Sequence, residues 1–143
     1  MNMKKLNYTS FFYLILGLVA GVFYREYTKM NNFLGTTVLS SVHSHILVLG
    51  FFFFLIVTIL AYLFKLNEDK GFSAWYIVYN LGLLITIGTF VARGMLQVNG
   101  ADFKGLSHIA GTGHAILGIA LVWFMLLLQK SLKVVALKAS KTN

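Results

Sequence analysis

The chain carries four histidines, His43 and His45 in VHSHILVLGFFFF and His108 and His114 in LSHIAGTGHAILG, each pair running into a long apolar stretch. Residues i and i+2 of a helix point about 200° apart, so His43 and His45 cannot chelate one ion together and must address different clefts. His108 and His114, six residues apart, are separated by about 240° and more than one turn. Neither pair forms the metal site that an i, i+4 spacing would. A site made from these imidazoles has to join two helices or two subunits through a cofactor wide enough to span the gap. A haem meets that requirement, because neutral imidazoles approach its iron from opposite faces. The chain has no cysteine, so thiolate ligation and covalent attachment are excluded and haem b is the expected cofactor. Gly50 on the second apolar stretch, with Gly111 and Gly113 on the last, remove side chains where a flat macrocycle would lie. Arg93, at the same level, can clamp a propionate in a bidentate manner.

Two other readings use the same residues. The four imidazoles could hold zinc or copper, as a binding protein or a transport path. They could also do no more than pack in a structural subunit, with the glycines serving close helix approach. All four histidines fall in the same leaflet of two parallel helices, and ionisable groups inside a span indicate function by default. The carboxylates Glu26, Glu68, Asp69 and Asp102 all fall in loops or at boundaries, which argues against a proton pump or a di-iron site. Asn80, inside a span, is expected to hydrogen-bond between helices.

The elements that must position these groups follow from hydropathy. Of the 143 residues, 58% are hydrophobic and 11% charged, with mean hydropathy +0.78, too apolar for a dispersed soluble domain. Nearly charge-free blocks at 8–24, 42–64, 72–92 and 106–128 predict an all-α, four-helix integral membrane bundle. The expected helices are 8–25, 34–65, 72–93 and 105–129 in one domain spanning 1–143, with the second helix unusually long. The first block, ending in Tyr24-Arg25-Glu26-Tyr27, reads as a retained helix with an interface belt rather than a cleaved signal. With no proline, any bending must come from the 13 glycines.

Net charge is +8. Alternating helices put Lys4, Lys5, Lys65, Lys70, Lys130, Lys133, Lys138 and Lys141 on one side and Arg25, Lys29, Arg93 and Lys104 on the other, so both termini are expected in the cytoplasm. The basic tail over 130–143 reads as an anchor to anionic membrane lipid; nucleic acid is not an expected partner. Counted from the inner ends, His45 lies 19 residues above Phe64 and His108 lies 20 above Leu128, which puts both roughly 30 Å up and His114 about 9 Å deeper than His108.

The stretch His43-Ser-His45-Ile-Leu-Val-Leu-Gly50-Phe-Phe-Phe resembles the H-x-H-x-x-L-x-x-G-x-x-F segment on the tenth helix of haem–copper oxidase subunit I. Val48 stands at the leucine position and Gly50 one residue early. In that family the first histidine is an axial ligand of the high-spin haem and the second of the low-spin haem. Its twelve helices form three pseudo-symmetric groups of four, with an arginine pair after the third helix of the group, where Arg93-Gly94-Met95 stands here. The motif also resembles the NnrS-type haem–copper membrane proteins, and the chain from YLILGLVAGVFYRE onward looks like a small bacterial four-helix family of unassigned function. The resemblance implies a homotrimer imitating the twelve-helix subunit, in a bacterial cytoplasmic membrane, binding haem b toward the outer leaflet. Electron transfer with a redox partner, or binding of nitric oxide or oxygen, would be its function. The oxidase's copper-ligating histidines and cross-linked tyrosine have no counterpart, so oxygen reduction is not expected of a single chain. A threefold axis cannot pair three His45 residues, so the opposing ligand would be His108, favoured by depth, or His114, favoured by its glycine surround.

Overall fold

Asn2 opens the first helix: its side-chain oxygen accepts the Lys4 amide at 2.9 Å, which satisfies one of the amides a helix start leaves free. The computed structural model describes residues 1–139, and side chains as far as Leu137; the expected basic tail is helical to Ala139, and its Lys138 side chain and Lys141 lie outside the described residues. Four helices follow in sequence: α1 (Met3–Met30), α2 (Val38–Phe64), α3 (Phe72–Val98) and α4 (Gly105–Ala139). Each is long and apolar enough to cross a membrane. Large apolar side chains face outward along all four, among them Leu18, Ile56, Ile77 and Val122, which in a membrane face lipid.

The helices depart from the apolar blocks at the ends. α1 continues past 25 through Arg25, Glu26 and Lys29, all good helix formers, and stops where Asn32 takes a left-handed conformation (φ +49°). α3 reaches Val98 and α4 runs beyond 129 for the same reason: charge ends an apolar block without ending a helix. The second helix is shorter than expected, beginning at Val38 rather than 34. The Thr37 hydroxyl accepts the Leu39 amide at 3.2 Å and starts a 3₁₀ turn over Val38–Ser41.

α2 is not uniform. It is α-helical over Val42–His45, π-helical over Ile46–Phe52 and α-helical again over Phe53–Phe64. A π turn weakens the regular backbone ladder, and inside a membrane its carbonyls need other donors. Two neighbours supply them: Tyr79 Oη donates to Leu49 O at 2.8 Å and Ser10 Oγ to Phe51 O at 3.0 Å. Gly50 lets the Tyr13 ring close against the widened turn, since a methyl group there would lie 2.5 Å from the ring.

The bundle is antiparallel. At one end Lys130 Nζ donates to Asp69 Oδ2 at 2.6 Å, fixing α4 against the α2–α3 turn, whose Lys65 is left-handed (φ 56°). At the other end Thr37 Oγ1 donates to Gly94 O at 2.9 Å and the Val38 amide to Gln97 Oε1 at 2.9 Å. The α3–α4 seam is close because Gly82 and Gly113 face one another's helices; a methyl on Gly113 would meet Thr86 Oγ1 at 2.5 Å. Between these ends Phe53, Phe54, Trp75, Tyr79 and Phe124 form an aromatic core, and Trp75 Nε1 donates to Ala120 O at 2.8 Å. Asn80 accepts from Tyr13 Oη at 2.7 Å, joining α3 to α1 as its position inside a span suggests.

Candidate functional site

His45 stands where α2 passes into its π turn, and its Nδ1 lies 2.8 Å from Ser41 O, four residues earlier. His114 repeats the arrangement on α4, with Nδ1 2.8 Å from Ala110 O. A carbonyl can only accept, so in each neutral ring Nδ1 carries the proton and Nε2 keeps the lone pair. The two rings come together edge-on between α2 and α4, centres 6.2 Å apart and planes at 88°. Phe90 of α3 closes the group, its ring 5.1 Å from His45 and 5.6 Å from His114. Beside His45 a cavity of about 320 Å³, lined by Ser44, Val48 and Leu49, opens outward, and His114 is itself exposed.

The other two histidines lie elsewhere. His43 turns the opposite way, onto α1, where a methyl on Gly21 would lie 3.8 Å from its Cβ and Cγ. Its Nδ1 is buried with no hydrogen-bond partner. His108 is exposed on the first turns of α4, and its ring has no hydrogen bond or ring contact among the described residues. Level counting sets His45 opposite His108; the fold sets it opposite His114. A π turn packs more residues into each turn, which lowers His45 toward the level of His114, though by less than the roughly 9 Å that separates His108 from His114.

The glycines divide similarly. The space freed by Gly50 and Gly113 is filled by Tyr13 and Thr86, whereas a methyl on Gly111 would meet nothing within 4 Å. Arg93, one turn beyond Phe90, already holds a carboxylate: Nε donates to Asp102 Oδ1 at 2.8 Å and Nη2 to Oδ2 at 2.9 Å. That hydrogen bond, with the positive charge behind it, holds the Asp102 carboxyl below the usual carboxylate range. Among the described residues no three side chains of His, Cys, Asp or Glu converge on one point.

Sequence reasoning missed Phe90 and Asp102. Phe90 carries no signal of its own in an apolar helix. Asp102 was legible in part, because Gly100 (φ +78°) turns the chain back and brings residue 102 against the end of α3.

No curated protein and no solved structure matches the chain, so nothing in these comparisons links it to haem–copper oxidase. One family profile matches, described as a protein of unknown function (DUF2871), and it covers residues 3–131, from the start of α1 well into α4. The chain belongs to the DUF2871 family.

Proposed function

We propose that this protein binds haem b in a bacterial cytoplasmic membrane, with His45 and His114 as the axial pair. The observation that carries the reading is the approach of two imidazoles from different helices, each with its Nδ1 proton tied to a backbone carbonyl. That tie fixes ring orientation and leaves Nε2 as the ligand atom, the arrangement metal-binding histidines adopt. The spacing suits one metal between the rings: with metal–nitrogen bonds of about 2 Å, opposed imidazoles have centres about 6 Å apart, against 6.2 Å here. Phe90 makes an apolar wall, and Gly111 leaves room beside His114.

A haem held there would supply a one-electron couple, or a diatomic-gas site if one axial position were open. The chain's own residues would hold and orient the group. Arg93 would hold a propionate by sharing or releasing Asp102, so that ion pair would compete for the group. Because the cavity beside His45 opens outward and His114 is exposed, the group would lie at the surface of one protomer, and a neighbour would cover it. This favours the homotrimer that the His43-Ser-His45 likeness implies, with both termini in the cytoplasm and the haem toward the outer leaflet.

The test is the visible spectrum of the purified protein before and after dithionite. A b-type Soret band lost in both His45→Ala and His114→Ala, but kept in His108→Ala, is expected. A colourless protein whose zinc or copper content falls with the same substitutions replaces haem with a metal-ion reading. A colourless, metal-free protein leaves the histidines to packing.

A further inference from the structure

A cavity of about 620 Å³ lies far from the histidines, between α1 and α3 at the lysine-rich end. Lys4 and Lys5 stand at its mouth, both exposed, and no carboxylate pairs with either among the described residues. Lys5 is held there by the Tyr76 ring, 4.6 Å from its ammonium. Deeper in, the polar groups bond to one another. Thr9 Oγ1 donates to Lys5 O at 2.9 Å, so in its 2.7 Å contact with Tyr76 Oη the tyrosine is the donor. Tyr13 Oη donates to Asn80 Oδ1 at 2.7 Å. With those groups satisfied, the walls present ring faces and aliphatic surface, including half-exposed Phe12 and Leu84. From Lys5 to Tyr13 the groove runs about 12 Å along α1.

The groove is therefore cationic at its mouth and apolar along its length. We propose that it binds one anionic phospholipid, phosphate at Lys4 and Lys5 and an acyl chain along Phe12 and Leu84. Charge favours lipid over a second copy of the chain. Of its four carboxylates, Glu26 and Asp102 belong to the opposite end and Asp69 is taken by Lys130, so a second copy has only Glu68 to offer two lysines. The site is independent of the haem reading and stands or falls separately.

The test titrates the full chain, in a neutral maltoside detergent, with phosphatidylglycerol or phosphatidylcholine and reads retention by native mass spectrometry. One phosphatidylglycerol per protomer is expected to persist in preference to phosphatidylcholine. The Lys4→Gln/Lys5→Gln variant loses about 30-fold in affinity, while Lys133→Gln, exposed at the same end, keeps it. Equal retention of both lipids, or equal loss in Lys133→Gln, overturns the site in favour of diffuse attraction. Displacement by millimolar inorganic phosphate overturns it in favour of a free anion. The chain has no cysteine, so Leu84→Cys gives a single thiol for a fluorophore. Quenching by brominated phosphatidylglycerol supports the proposal; a disulfide-linked dimer that the lipid does not suppress assigns the groove to a second copy.

Discussion

Replacing Gly94 by alanine tests how the outer end of the bundle holds the candidate site. A methyl on Gly94 would lie 2.7 Å from both Cβ and the amide nitrogen of Leu39 and 2.9 Å from its Cα. Ordinary contact begins near 3.4 Å, so α3 and the start of α2 must separate by about 0.7 Å. The obstruction is backbone in a capped 3₁₀ turn, not the end of a flexible side chain, and cannot step aside alone. Separation also stretches the Thr37–Gly94 hydrogen bond. Overpacking of this kind destabilises by about 1–3 kcal/mol and a weakened buried hydrogen bond adds about 1 kcal/mol. The expected total is about 2–4 kcal/mol, measured as loss of helical circular dichroism on heating or titration with dodecyl sulfate. The right comparison is Gly88→Ala, on the same helix, where a methyl meets nothing within 4 Å. Phe90 is one turn from Gly94 and His45 nearly two turns beyond Leu39, so the shift also disturbs the histidine pair. If Gly94→Ala is as stable as Gly88→Ala, the close approach of α2 and α3 at this level is wrong.

Three further outcomes are expected. Tyr79→Phe leaves Leu49 O in the π turn without its donor and lowers stability by about 1–3 kcal/mol in the same denaturation assay; Ser10→Ala, which frees Phe51 O, acts in the same direction. The Asp69 carboxyl is held below its ordinary range first by the Lys130 hydrogen bond and then by the Gly71 amide. Its folded value is the lower one, so its stabilisation is complete above the unfolded value near pH ~4 and vanishes as pH falls through the folded value. An acid titration of stability should therefore be shallower in Asp69→Asn than in the parent. Asp102→Asn frees the Arg93 fork, and if Arg93 seats a propionate, haem retention during dialysis should rise rather than fall.

Much of the frame follows from local order. Charge-free runs of about twenty residues in a solvent without hydrogen-bonding partners point to helices, so four spans were readable from the order of apolar residues, and so was Asn80 as an interhelical bonder. The opposed directions of His43 and His45 were readable too, because they depend only on helical pitch. Helix ends were less so, because caps and left-handed residues such as Thr37 and Asn32 set them, not hydropathy.

What tertiary structure decided is which imidazole meets which. The register between α2 and α4 is set by packing of the whole bundle, in which Ser10 and Tyr79, distant in sequence, satisfy carbonyls of the π turn. It also decided that Gly50 and Gly113 serve packing while Gly111 stays open, and that Arg93 already grips Asp102. Pitch and hydropathy are properties of neighbours along the chain. The meeting of His45 and His114 is a property of two helices held in one axial register, which only the packed bundle specifies.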